Sequence, residues 1–333
     1  MGVPAEAADM VLLGGEVRTR LLPTARPLRA AETARLLELR PDEPVHVSAR
    51  PNAHALSPPR PVGVDCALPT PDGTRVRAVG TVLSQASVTG GRVVQAHART
   101  GATAAGPDGR RPWGHYLTRP GVVEPLGKLP EGAVARGFLA GGGPGELDLG
   151  LIAQRLLTEV LRHPLPDRQE PLPTPRTRLR WVALWAADAE APRLERFTIE
   201  GDELRTARLR LPYDAPPDAV AAFCADLALH DWLLTTLIAV LEEHPPGDPP
   251  EAGSGRVLRW VVDQLLHLWM PGVRLDERLA PLWHALERTP GFTRQWQALA
   301  QHVRDRTPRP VRCRWTNESE AGEACGRRAG YPK

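Results

Sequence analysis

Nine consecutive residues, Trp113-Gly114-His115-Tyr116-Leu117-Thr118-Arg119-Pro120-Gly121, bring an indole, an imidazole, a phenol and a guanidinium into one short stretch. Trp113, His115, Tyr116 and Arg119 are therefore candidate contacts for a ligand or a protein partner. They offer a flat apolar face, hydrogen-bond donors and a fixed positive charge. The same groups also staple loops onto sheet edges through side-chain hydrogen bonds. No nucleophile sits beside them, so the stretch reads as a binding loop or a staple before it reads as a catalytic centre.

Cys224, Asp226, His230 and Asp231 contain the ingredients of a Cys-His-Asp set, with Asp226 and His230 one helical turn apart. A nucleophilic cysteine needs partial exposure and electropositive surroundings, and Cys224 lies in the most apolar stretch of the chain. His230 and Asp231 are read as structural polar residues. They interrupt the apolar run from Pro216 to His244, and Asp231 is expected to cap a second helix by accepting from the amides of Leu233 or Leu234. The competing reading is one unbroken helix, in which Asp231 is a buried charge that needs a cation.

The glycine-rich run Gly141-Gly142-Gly143-Pro144-Gly145 precedes a helix, as phosphate-binding loops do. It lacks the Lys-Ser or Lys-Thr of a Walker loop and the order of a dinucleotide fingerprint, so it is expected to be a turn. Asp263 with His267, and Cys313 with Cys325, are pairs where zinc asks for four ligands. No metal site, cofactor or catalytic residue is predicted.

The elements that position these groups follow from periodicity. Val11 to Leu13 and Val17 to Leu22 read as strand, and Leu28 to Leu39 as a helix ending before Pro41. From Val62 the period is two: a strand, a turn at Pro71-Asp72-Gly73, a strand to Leu83, a turn at Thr89-Gly90-Gly91 and a further strand to Ala98. A helix spans Leu147 to His163. Leu179 to Ala187 and a hairpin of Leu194 to Ile199 with Leu204 to Leu211 give three more strands. Then come the apolar spine at 216–244 and helices over Arg256 to Met270, Leu279 to Arg288 and Pro290 to Arg306, the last with Thr289 as its N-cap. Trp260, Trp269, Trp283 and Trp296 recur with leucines and read as an aromatic core.

The fold class predicted is α+β: a small antiparallel β-rich N-terminal domain over 10–140, then an α+β domain over 146–306 with a three-stranded sheet and a Trp-rich helical subdomain. Residues 1–9 are expected to be a disordered leader and 307–333 a disordered tail, with Met10 a possible alternative start. At 42% hydrophobic residues the chain can bury real cores. The net charge of +3 comes from 42 basic and 39 acidic residues interspersed along the chain, with Lys128 and Lys333 the only lysines, which argues against a phosphate-tracking surface. Four scattered cysteines and no secretory leader point to a reducing, cytoplasmic setting, and no span for a membrane is predicted.

The stretches WGHYLTRPGVVE, LALHDWLLTTL, HLWMPG and LWHALERTPGFTRQW resemble a family of soluble proteins from high-GC actinobacteria to which no activity is assigned. The resemblance runs to about Arg306; it implies a cytoplasmic protein and transfers no site. By elimination, the expected function is a non-enzymatic interaction or adaptor protein, monomeric or weakly dimeric, that meets a protein partner through its Trp-rich helical end. The alternative is a small-ligand-binding protein or enzyme centred on the Trp113 to Arg119 loop. A nucleic-acid-associated regulator is the weaker third.

Overall fold

The period-two stretches become strands of one ten-stranded mixed sheet. A computed structural model of the chain describes residues 9–71, 73–106, 109–244 and 254–307. Almost all of the expected leader and tail, with Cys313 and Cys325, lies outside them. The strands are β1 (Met10–Leu21), β2 (His46–Ser48), β3 (His54–Leu56), β4 (Arg60–Leu68), β5 (Val76–Thr89), β6 (Val93–Thr103), β7 (Val122–Pro125), β8 (Thr177–Trp185), β9 (Arg193–Glu200) and β10 (Leu204–Leu211). The helices are α1 (Ala30–Leu36), α2 (Trp113–Leu117), α3 (Glu131–Ala140), α4 (Leu149–Arg162), α5 (Pro217–Glu243), α6 (Ser254–Gln264), α7 (Ala280–Arg288) and α8 (Phe292–Arg306). The protein is α+β, as the sequence predicts.

The sheet runs β2-β3-β5-β7-β6-β1-β8-β10-β9, with β4 also paired to β5. The strand β1 lies antiparallel between β6 and β8, with Gly14 opposite Thr100 on one side and Val182 on the other. It therefore joins the N-terminal strands to the three-stranded unit that the sequence suggested as a separate sheet. The turn at Gly90-Gly91 closes the β5–β6 hairpin with both glycines at positive φ, near +60°, where L side chains are strained. Farther along, β5 and β6 diverge and β7 fills the wedge, parallel to β6 and antiparallel to β5. Gly80 permits this, since a Cβ there would lie 2.1 Å from the Val122 carbonyl oxygen.

Helices cover both faces. Leu12, Ala98 and Val182 meet Val134 and Phe138 of α3 and Leu149 and Ala153 of α4. On the other face Leu13, Val17, Leu179 and Trp181 meet Phe223, Leu227 and Leu234 of α5, and the C-terminal helices close over them. There Trp269 stacks on Trp296 with centroids 4.4 Å apart, and Phe292 packs edge-on to Trp283. Such aromatic contacts make a specific core. The N-cap of α8 is Gly291 at φ +84°, not Thr289, whose amide instead donates to Ala285 at the end of α7. Pro290 follows Thr289 and cannot donate, which leaves the flexible glycine to begin the new helix.

The spine helix is unbroken over 27 residues, so Asp231 caps nothing. It is long and apolar enough to cross a membrane by length and composition, but 67% of its apolar window is buried in the protein, as befits a core helix. The helix continues through Asp231 because Arg205 of β10 meets it: Arg205 Nε donates to Asp231 Oδ2 at 2.8 Å, with both side chains at most 7% exposed. Arg205 also donates to the Gly201 and Asp202 carbonyls and to Thr235 Oγ1, so its donors are almost all placed. Burial pushes the Asp231 carboxyl up to about 6 against the pull of Arg205. Desolvation thus offsets much of the attraction, as is usual for buried pairs. Asp231→Ala is expected to cost about 3–5 kcal/mol in urea unfolding because it strands a buried guanidinium, whereas Arg205→Met with Asp231→Leu should recover most of that loss. A single substitution that costs under about 1 kcal/mol, the size of a lost cap, would contradict the buried-pair assignment.

Candidate functional site

The structure divides the four candidate contacts on the 113–121 stretch. The stretch begins as the short helix α2, stapled to β7 by Glu124, which is 6% exposed. Glu124 Oε1 accepts from His115 Nε2 and from Arg119 Nη1, both at 2.8 Å, while Oε2 is buried with no protein partner among the described residues. His115 and Arg119 line an open cleft of about 520 Å³ with Glu124, Arg111, Thr103 and Tyr213. Tyr116 and Trp113 do not line it. Tyr116 is buried, its hydroxyl accepting from the Arg111 amide, and Trp113 is half-exposed with the Arg110 guanidinium 5.2 Å from its ring centroid. Glu124, nine residues beyond His115, is the group that sequence reasoning missed. Its carboxylate is shared by two partners inside the protein, which ties α2 and the following loop to β7 beside the open cleft.

A second cleft lies where no sequence motif points, between α5 and the strands β3, β5 and β6, with a volume of about 270 Å³. Its floor is polar. Gln85, Ser87 and Thr89 of β5 and Gln95, His97 and Arg99 of β6 alternate onto the face that α5 covers. The register sets Gln85 opposite His97 and Ser87 opposite Gln95, while β3 adds His54 opposite Thr89. Its helical wall is a stripe of small residues, Ala221, Ala222 and Ala225, flanked by Asp218 and Asp226, and Arg274 and Leu275 close one side.

Several floor groups are tied down. Gln95 Nε2 donates to Thr19 Oγ1 at 3.0 Å and to the Ala225 carbonyl of α5 at 2.9 Å, pinning helix to sheet. Arg99 Nη2 bonds to Asp218 Oδ1 at the first turn of α5. His54 Nδ1 lies 3.0 Å from Thr89 Oγ1. The His97 imidazole, only 7% exposed, makes no hydrogen bond to any described residue. Burial, with the charge of Arg99 adding to it, lowers that imidazole to about 3; burial, with Arg274 and His46 adding, lowers His54 to about 4. Both rings are neutral at pH 7. Neutral rings each present a donor and an acceptor.

The remaining candidates are engaged within the fold. Cys224 is fully buried and its thiol is pushed well above the ordinary range, the opposite of an activated nucleophile. His230, also buried, has Nδ1 2.7 Å from the Asp226 carbonyl and accepts from the Met270 amide at Nε2, locking the 270–272 turn to α5 together with the Gly272 amide, which donates to Asp226 Oδ2. The Gly141–Gly145 run ends α3, where Arg180 donates to the Leu139 and Ala140 carbonyls and pairs with Glu16. Its Gly143 amide donates to Glu146, so an internal carboxylate occupies the place a phosphate would take. Among the described residues no three His, Cys, Asp or Glu side chains are grouped to hold a metal ion. No family model matches the chain, and neither does any curated protein or solved structure.

The neutral histidines give the cleft a pH signature. An imidazole that titrates near 6.5 in an unfolded chain but near 3 in the fold favours the neutral form, so its contribution is intact above about 6.5 and is lost as pH falls toward 3. Stability measured by urea unfolding is expected to decline from pH 7 to pH 4, and His97→Gln should flatten that profile. Parallel profiles for the two proteins would show that His97 is not held neutral by the fold.

Proposed function

We propose that the protein binds a small polar molecule in the cleft between the sheet and α5. The observation that carries this reading is the His97 ring, 7% exposed at the cleft and without a hydrogen bond to any described residue, on a floor of alternating polar side chains. Buried polar groups are satisfied in folded proteins, by protein, by water or by a ligand. A sheet face covered by a helix is ordinarily apolar, and here the cover is an alanine stripe that leaves room above six polar residues. The cleft is narrower than the one beside His115 but better enclosed, and its floor groups are not all consumed by one another.

Two free thiols, Cys66 and Cys224, support placing the protein in a reducing compartment such as the cytoplasm. A protein-partner role is the second reading, favoured by Trp113 and Leu117, 38% and 60% exposed on α2.

The test is a thermal-shift screen against a library of small metabolites, run on the wild-type protein and on Ala222→Phe. Ala222 lines the cleft from an exposed position on α5, so a phenyl group there fills the space with little cost to the core. At least one compound is expected to raise the wild-type melting temperature by several degrees and to leave Ala222→Phe unmoved. A blank screen, or hits that bind both proteins equally, would remove this reading.

A further inference from the structure

Two arginines line the cleft, and among the described residues only one has a carboxylate in contact. Arg99 is neutralised by Asp218. Arg274 is not: it donates through Nη2 to the carbonyl and side-chain oxygens of Asn52, two residues before His54, and forms no ion pair among the described residues. Asp226 attracts it from a distance, but that carboxylate is engaged with the Gly272 amide and lies 3.6 Å from His230 Nδ1. Burial lowers the Arg274 guanidinium, so its charge is partly desolvated without a counterion in contact. Beside it, His54 uses one ring nitrogen on Thr89, and its other nitrogen has no protein partner among the described residues. The charged or titratable groups around His54 are His46 on the neighbouring strand β2, Arg274 on the covering turn, Asp226 and Asp218 on α5, and His97 and Arg99 farther along the floor. Those that act on the His54 ring are Arg274 and His46, and both disfavour its protonation.

Resting on the proposal that the cleft binds a small molecule, we infer that its occupant carries an anionic group, a carboxylate or a phosphate ester, held between Arg274 and His54. An anion there supplies the missing counterion to Arg274 and an acceptor for the free nitrogen of His54. It also reverses the electrostatics at the imidazole. A ring kept neutral by burial and neighbouring cations gains an adjacent negative charge, so its proton affinity rises on binding. Binding is then coupled to proton uptake, and affinity increases as pH falls. The linkage reaches about tenfold per pH unit when one full proton is taken up. The rest of the ligand faces His97, Gln85 and Ser87 on the floor and the alanines of α5 on the wall.

The test uses calorimetry with three probes on the full chain: benzoate, dimethyl phosphate and the uncharged benzamide. The two anions stay singly charged between pH 6 and 7. At least one is expected to bind at least tenfold more tightly than benzamide, and which one identifies a carboxylate or a phosphate source. Its affinity should rise about twofold from pH 7 to pH 6 if the anion brings the ring from about 4 to about 6, with proton uptake read from buffers of different ionisation enthalpy. Arg274→Gln should weaken it at least tenfold, Arg274→Lys should restore part of that loss, and His54→Gln should abolish the proton uptake. Benzamide binding as tightly as the anions, or anion binding indifferent to Arg274→Gln and to pH, would overturn the anion assignment and leave the cleft as a binding site. If none of the three binds, the anion assignment falls. The metabolite screen then decides the broader reading: hits lost in Ala222→Phe retain it, and a blank removes both.

Discussion

The packing of α5 across the sheet is the constraint on which the rest depends. Its C-terminal two-thirds lie on apolar strands, with Leu227, Leu234 and Leu237 against Val17, Trp181 and Leu209, and every one of these side chains is under 5% exposed. At about 25 cal/mol per Å² of apolar surface removed from water, such burial fixes where the helix lies. The N-terminal third has no such choice. It continues as the same unbroken helix past strands whose residues on that face are polar; Val220, Phe223 and Cys224 turn into the apolar core, and the stripe of α5 that faces the cleft is alanine. Two groups hold the overhang at its height: Gln95, reaching from the floor to the Ala225 carbonyl, and Arg99, bound to Asp218. The cleft is the space left between a helix positioned by one half of the sheet and a floor that the other half supplies.

Most elements were legible because their periodicity is strong. The β4–β5–β6 meander, the β9–β10 hairpin, α4 and the tryptophan-bearing helices fall close to where hydrophobic spacing and turn residues put them. What was not legible is long-range. Nothing in the local pattern of Met10–Leu21 says that its far edge pairs with Thr177–Trp185, more than 150 residues on, because pairing partners are chosen by the whole sheet. The short strands His46–Ser48, His54–Leu56 and Val122–Pro125 are too brief to show a period. Asp231 misled for a related reason: a carboxylate in an apolar helix resembles a cap until the arginine that pairs with it, 26 residues away, is seen opposite.

The site was half-legible. The 113–121 stretch announced itself by composition, and His115 and Arg119 do line a cleft, but with Glu124 they form a closed set of charges. The α5 cleft had a signal that could have been found. In β5 and β6 the series Gln85, Ser87, Thr89 and Gln95, His97, Arg99 keeps period two while the intervening residues, Ala86, Val88, Val94, Ala96 and Ala98, are apolar and fully buried. A strand with one apolar face reads as half-solvated. The reading fails here because the chain later supplies α5 to cover the polar face.

That coverage distinguishes the two clefts chemically. Beside His115, the imidazole and Arg119 are already bonded to Glu124, and a ligand would have to displace a bond already made to engage either of them. Under α5 the account is incomplete. His97 lacks a hydrogen bond, one nitrogen of His54 is unused, and Arg274 holds a half-buried charge against neutral oxygens of Asn52. A fold that needed only to bury this face could do so with valine and leucine, as the same face does one strand further along in β1 and β8, where Val17 and Leu179 take the places of polar residues. Keeping polar groups there costs desolvation without return from the protein itself, and that imbalance is removed when a small polar molecule fills the space.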